Sequence, residues 1–564
     1  MTMISRREFL QVAAATAAIV PGGWSRAFAQ QKLTQAELLK FDPVGSVTLL
    51  HIADVHGQLN PVYFREPSTN LGVGDGKGVP PHLTGAAFLE WFSLKPKTAE
   101  AYALTSDDFV ALAKSYGRIG GLDRAATVVK AVRAERGHDK VLLIDGGDTW
   151  QGSLTALRTK GQDMADCFRL LRPDAMTGHW EFTYGTDRVK ELVDSLGFPF
   201  LALNVRDTEW QEPVFPPYRM FEKGGVKVAV LGQAFPYTPV ANPRWMIPTW
   251  SFGIREDDVR ANVEKVRQEG AQLVVLNSHC GFDVDRKLGE RVSGIDVILS
   301  AHTHDAMPQV LHVQNRTLIV ASGSHGKFIS RLDLDVKDGA VSNFRYRLIP
   351  LFSDVIAPDA EMAAAIAKVR APFSAELARE VGRTESLLYR RGNFAGTFDD
   401  LICAAIMEQR DAEIALSPGF RWGTSVLPGS AITVEDIHNA TAITYPQVYR
   451  QQMAGARLRE ILEDVADNLF NPDPYYQQGG DMVRCGGLGY TIDIGKPMGS
   501  RVSGLTHLKS GKPIDPAREY TVAGWASVNE GTEGPPVWEL VEKHVATKKT
   551  VRVAPNTAVK VVGS

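Results

Sequence analysis

Cysteine is scarce in this chain. Cys167, Cys280, Cys403 and Cys485 are the only four in 564 residues, and no two form a C-x-x-C pair. A chain of this size with so few has no disulfide framework, although an oxidising compartment would permit a bond. Charge of one sign is missing as well: 62 Lys and Arg against 65 Asp and Glu leave a formal net charge of -3. That argues against bulk binding of nucleic acid or of an anionic membrane, so an anionic substrate must be drawn by local charge such as metal ions. Beyond the first 30 residues no apolar run is long enough for a membrane helix, and neither an internal repeat nor a low-complexity tract occurs. Length and a 44% hydrophobic content do allow large cores and two or more domains.

The N-terminus reads as a targeting segment. Ser5-Arg6-Arg7-Glu8-Phe9-Leu10 is a twin-arginine pattern, Val12 to Val20 is an apolar stretch too short to span a bilayer, and Ala27-Phe28-Ala29 is a small-x-small cleavage site. Residues 1–29 are therefore expected to be a twin-arginine signal peptide. It would export the folded chain to the periplasm, with metals loaded beforehand and no membrane attachment after cleavage.

From 30 to 357 β-like and helical runs alternate, as in a layered α/β domain. A long interruption at about 65–116, opening on the Gly- and Pro-rich stretch Pro67 to Pro81, suggests a substrate or partner surface. The Ala-rich stretch 358–382 is expected to be a linker helix, and a second α/β unit follows at 383–564.

Five short segments of the first domain carry metal-ligand residue types. They contain Asp54 and His56, Asp148, His179, His279, and His302 with His304, and four of them follow apolar, strand-like runs. Ligands at the carboxyl ends of parallel strands converge on one crevice. Asp54 and His56 stand two apart, which on a strand puts both on one side. Gly146 and Gly147 let backbone approach Asp148 closely. The His302-x-His304 pair is the strongest single signal, since two imidazoles so placed are seldom core residues. Two Asp and five His suffice for two divalent ions, which can generate a nucleophile and clamp an anionic group undergoing displacement. An oxygen and nitrogen shell without thiolates suits manganese, iron or zinc and disfavours copper and iron–sulfur chemistry. Cys280, beside a proposed ligand, is read as a small buried apolar residue, and His325 as a loop histidine making ordinary hydrogen bonds.

The order of the five segments resembles the D-x-H, G-G-D, G-N-H-E, distant H-x-G and G-H-x-Q/H of the calcineurin-like metallophosphoesterase domain of periplasmic 5′-nucleotidases. Ala395 to Ile402 and Pro418-Gly419-Phe420-Arg421 resemble the C-terminal domain of that family, with Pro418 in place of the first Gly of its Gly-Gly-x-Arg loop. The resemblance implies a four-layer β-sandwich flanked by helices, then the linker helix and a nucleotidase-type substrate domain. It also implies two ions, expected to be manganese: one within Asp54, His56, Asp148 and His304, the other within Asp148, His179, His279 and His302, with Asp148 bridging.

At the third segment the chain departs from nucleotidases. Gly178-His179-Trp180-Glu181-Phe182-Thr183 stands where they have Gly-Asn-His-Glu-Phe-Asp, so Trp180 and Thr183 replace a catalytic His and the Asp that orients it. Indole cannot act as a proton acid near neutral pH. Without a partner for an alkoxide, the site should serve a better leaving group such as a thiolate or persulfide.

The G-H-W-E-F variant, the twin-arginine pattern, the early Gly-rich insertion and Tyr475 to Arg484 resemble SoxB, the thiosulfohydrolases of the periplasmic sulfur-oxidation (Sox) pathway. That resemblance implies release of sulfate from a cysteine S-thiosulfonate on the carrier SoxYZ, presented on the flexible C-terminal arm of SoxY. Metal-bound hydroxide would attack the terminal sulfone sulfur and a persulfide would leave. Arg421 is the candidate cation for the sulfonate, Trp180 a wall of the channel, and Asp481 and Arg484 further channel residues. Two other readings stand beside this one: a periplasmic 5′-nucleotidase or cyclic-nucleotide phosphodiesterase, and a non-catalytic carrier-binding protein with a structural metal site.

Overall fold

The computed structural model describes residues 33–313 and 316–563. The twin-arginine segment at 1–29 lies outside the described residues.

Two facing sheets make the first domain. Strands Val47–Ile52 and Val141–Asp145 are buried along their whole length and run parallel at the middle of a five-stranded sheet. Ala175–Met176 flanks them on one side, and the antiparallel strands Phe328–Lys337 and Ala340–Pro350 on the other. The second sheet has six strands, of which Val226–Gln233, Leu273–Ser278, Val297–Ser300 and Leu318–Ala321 are parallel.

Period-two alternation explains both faces of each strand. Val47, Leu49, Leu142 and Ile144 turn inward to meet Val228, Val230, Val275 and Leu299 of the other sheet. Leu50, Ile52 and Leu143 turn outward under helices Leu122–Arg136 and Gln162–Leu171. Leu231, Val274, Leu276 and Ile298 do the same under Glu256–Gln268 and Phe282–Arg291. The result is the helix–sheet–sheet–helix stack of four layers, with continuous apolar strands because both faces of each sheet are covered.

The expected linker helix is broken. Helix Ala360–Arg370 starts at Asp359, whose side chain accepts from the Met362 amide, and buries Met362 and Ile366 in the first domain's core. Pro372, with no N–H to offer, lies in a 3₁₀ turn, and the helical stretch ends at Leu377. Glu380–Thr384 is already a strand of the C-terminal half. There, helix Thr397–Arg410 packs on a mixed sheet ordered Tyr449–Ala454, Glu519–Gly524, Ile414–Gly419, Asp481–Gly486. The four cysteines are free and buried.

The 65–116 insertion is an extended segment followed by helices Gly85–Trp91, Ala99–Leu104 and Phe109–Tyr116. It is anchored widely: Tyr102 and Phe109 in one outer cluster of the first domain, Phe88 and Phe92 in the other, Leu71 and Val73 against the C-terminal half. At its start Glu66 pairs with Lys327, whose side chain is fully buried and also donates to the Ala103 carbonyl at 2.9 Å. Removing one member of a buried pair strands the other charge. Lys327→Met should cost about 3 kcal/mol of stability, read as a lowered urea midpoint. Adding Glu66→Gln should recover part of that loss, and a double variant less stable than the single would contradict the assignment.

Candidate metal centre

All five ligand segments follow strands whose carboxyl ends meet at one edge of the sandwich. Asp54 and His56 lie beyond the end of Val47–Ile52, in a loop with φ of +52° and +50°. Strand alternation therefore does not bring them together, as the sequence suggested; two left-handed turns do. Asp148, His302 and His304 share that conformation at φ of +56°, +76° and +62°. Left-handed backbone is costly for residues with a Cβ and gathers at functional sites. Here hydrogen bonds hold it: the Asp54 and His56 amides donate to the Gly147 and Asp148 carbonyls at 2.9 and 2.8 Å. Gly146 has to be glycine, because a Cβ would come within 2.7 Å of Ala53 and 2.8 Å of His51.

The side chains form two buried groups that share Asp148. One is Asp54, His56, Asp148 and His304; the other is Asp148, His179, His279 and His302, with donor atoms in each within 4.8 Å of one another. Asp148 Oδ2 is 3.1 Å from His279 Nε2, 3.3 Å from His179 Nδ1 and 3.6 Å from His56 Nε2. His56 Nε2 and His304 Nε2 face each other at 3.0 Å. His179 Nε2 and His304 Nδ1 are buried without hydrogen-bond partners, and His179 Nδ1 and His279 Nε2 face the Asp148 carboxylate.

Buried nitrogens left unpaired around shared carboxylates are a donor set that fits two divalent cations. The charges agree. Burial pushes Asp148 up, but the imidazoles of His179, His279 and His56 outweigh it and hold the carboxyl well below its usual range. Burial also opposes charge on His279, yet Asp148 lifts it to about 10, so the chain's own groups call for positive charge at this point.

Outer contacts fix the ligands. His279 Nδ1 lies 2.6 Å from the Gly146 carbonyl, which turns Nε2 toward Asp148. Fully buried Glu181 accepts from the amides of His179 at 2.8 Å, Thr149 at 2.6 Å and Asp148 at 3.3 Å, tying two ligand loops together. The sequence reading gave Glu181 no role, although its place in G-H-W-E-F was a signal for one.

Trp180 is buried rather than exposed along a channel. Its amide donates to Asp148 Oδ1 at 2.7 Å, and its ring packs edge-on against Phe420, 5.2 Å away, in the core of the C-terminal half. Asp481 and Arg484 are not cleft-lining either: they sit inside a buried network with Asp399, Arg390, Arg391 and Arg421. Strand Asp481–Gly486 pairs through Ser417↔Arg484 and Gly419↔Asp481, which points both side chains inward.

Arg421 does reach a cleft that His302 also lines, and donates to the Thr303 carbonyl at 3.1 Å. Arg391, which the sequence reading passed over, donates to the same carbonyl at 3.0 Å and lines a second cleft with His304. Adjacent arginines in Tyr389-Arg390-Arg391, just ahead of an apolar helix, were the available signal. His325 makes ordinary contacts, Nδ1 with Ser324 Oγ at 2.8 Å and Nε2 accepting from the Gly423 amide at 3.1 Å. Burial pushes the Cys280 thiol up, so it is no thiolate.

The 5′-nucleotidase C-terminal domain family matches residues 380–540. The 5′-nucleotidase of Rattus norvegicus is 24% identical over 71% of this chain and 74% of its own length. Protein UshA of Yersinia enterocolitica is 24% identical over 76% and 84%. Among solved structures, the sulfate thiohydrolase SoxB of Thermus thermophilus superposes with a TM-score of 0.89 at 36% identity, covering 93% of this chain and 98% of that one. The chain belongs to the SoxB family. A 5′-nucleotidase precursor from the same organism shares the fold, at TM-score 0.73 and 19% identity over 92% and 100%. The family is one of metal-dependent hydrolases with a nucleotidase-type C-terminal domain, and the two buried ligand groups fit a two-metal member of it.

Because Asp148 serves both groups, Asp148→Asn should lower bound metal from about two ions per chain to below one, measured by elemental analysis after desalting. His304→Ala should remove only about one ion. Two ions retained by Asp148→Asn would refute the bridging role.

Proposed function

We propose that the chain releases sulfate from a cysteine S-thiosulfonate on a carrier protein. The observation that carries this reading is Trp180. At the position where nucleotidases have an acid, the indole is buried against Phe420 and can donate one hydrogen bond but no proton. An alkoxide would leave poorly from such a site, whereas a persulfide is a stable anion. Water adds at the terminal sulfone sulfur, its bond to the neighbouring sulfur breaks, and the electron pair stays on the carrier's persulfide. Sulfate and two protons complete the balance.

When bound, the metal pair supplies Lewis acidity at the sulfonate and acidifies water. The chain supplies orientation. Arg421 and Arg391 hold the Thr303 carbonyl between ligands His302 and His304, and Arg421 also faces the cleft with its planar fork. Among the described residues, Arg390, Arg391, Arg421 and Arg484 form ion pairs with Asp399 and Asp481, and buried Asp305 lies in the field of Arg391 and Arg421. The arginines thus outnumber the carboxylates beside them, which suits an anionic group. We further propose manganese as the metal, SoxYZ as the carrier and the periplasm as the compartment. The donor set suits manganese, iron or zinc, and the choice of manganese rests on the resemblance to the nucleotidase family; the other two rest on the resemblance to SoxB and the twin-arginine pattern.

The test is sulfate release from a carrier cysteine bearing S-thiosulfonate, beside phosphate release from 5′-AMP, with manganese-loaded protein. Fast sulfate and negligible phosphate are expected; fast phosphate without sulfate would sink the reading and restore the nucleotidase. Arg421→Ala should lower kcat/KM for sulfate release about a hundredfold while bound metal stays constant. An unchanged kcat/KM would remove Arg421 from the substrate site.

A further inference from the structure

The dyad missing at positions 180 and 183 has a counterpart elsewhere in the molecule. His82, in the insertion, and Asp283, in the first turn of helix Phe282–Arg291, stand 2.6 Å apart (Nε2 to Oδ2) with side chains 14% and 12% exposed. Both line the cleft that ligand His302, Thr303 and Arg421 also line.

The imidazole is clamped. Asp283 takes the Nε2 hydrogen, and the Cδ2 edge backs onto Gly72 and Gly76, where an added Cβ would come within 2.6 and 3.1 Å of it. Nδ1 is buried and has no partner. Burial opposes protonation of His82, but the charge and hydrogen bond of Asp283 outweigh it and hold the ring above its ordinary pKa. In the protonated ring, the form that the Asp283 carboxylate favours, Nδ1 presents an N–H toward no partner of its own.

The direction of the substrate follows from its shape. Its sulfonate is terminal and belongs among the metal ligands, while its other end is joined to a macromolecule and has to run outward through a cleft. The sulfur that leaves therefore lies on the outward side of the ligands. Resting on the function proposed above, we propose that His82, oriented by Asp283, donates a hydrogen bond from Nδ1 to the departing sulfur. The step is that given above, with the electron pair of the broken S–S bond settling on a sulfur that faces this donor. No proton has to move, since the persulfide is stable as an anion, and the contact strengthens as charge collects there.

Two substitutions separate this role from a purely structural one. His82→Gln keeps an amide near the Nε2 position, and so the bond to Asp283, but removes the Nδ1 donor. His82→Asn places an amide near the Nδ1 position and gives up the bond to Asp283. Sulfate release is measured from a synthetic carrier peptide bearing cysteine S-thiosulfonate, with kcat and KM resolved and a thermal melt for each variant. For the Gln variant kcat should fall about tenfold to a hundredfold with little change in KM or melting temperature, and the Asn variant should retain more of kcat despite a lower melting temperature. A Gln variant equal to wild type, the opposite ranking, or equal loss in both would overturn the assignment of His82. Failure of the wild type to release sulfate would instead overturn the function on which it rests, and the departing-sulfur role with it.

Discussion

Two carboxylates removed from water govern the architecture. Asp54 and Asp148 are essentially unexposed, and burying such charges costs several kcal/mol each unless positive charge and hydrogen bonds meet them. Five imidazoles converge on them. Burial favours the neutral form of four, the form that binds a cation, whereas at His279 burial is outweighed by Asp148, which raises the pKa. Their convergence demands that loops from both sheets end within a few ångströms of one another. The loops reach that geometry by holding five ligands in left-handed backbone, at a cost of order 1 kcal/mol apiece. Only a rigid support can sustain it. The closely packed sandwich beneath, the Gly146 contact and the Glu181 carboxylate spanning two loops supply that support.

The parts of this centre legible in the sequence are those set by short-range pattern. Apolar runs ending in Asp or His marked where strands stop and ligands begin, and the order of the five segments separated a metal site from scattered polar residues. The four layers followed from the same runs, since strands apolar on both faces need cover on both. What the sequence does not carry is register. Asp481 and Arg484 were expected to line the channel because Tyr475 to Arg484 resembles SoxB, but both are buried where their strand pairs with Ile414–Gly419. The partnership of His82 with Asp283 spans 201 positions and depends on how the insertion lies over a helix of the first domain. Pro372, by contrast, was a local signal of a break within the expected linker helix.

The departure at Trp180 ties chemistry to packing. A histidine there could serve a leaving group; a tryptophan instead fills the junction, packing edge-on against Phe420 while its amide steadies Asp148. The substitution thus removes an acid and adds an interdomain contact at one position. Proton supply and packing at the junction are set by one residue within a nucleotidase-type fold.

Rigidity at that junction recurs on the opposite side of the centre. Arg391 and Arg421, from the C-terminal half, both grip the carbonyl of Thr303, which sits between ligands His302 and His304 of the first domain. The insertion crosses the same boundary: the Asn393 amide donates to the Thr69 carbonyl, and the Leu71 amide donates to the Asn393 side chain. Asn70 meanwhile reaches Asp305 in the first domain. A rotation of one half against the other would break these bonds together and withdraw both arginines from the ligand loop. The charge that attracts an anion and the ligands that would hold the metals are therefore assembled by one interface, and the arrangement seen here is the one in which both can act on the same group.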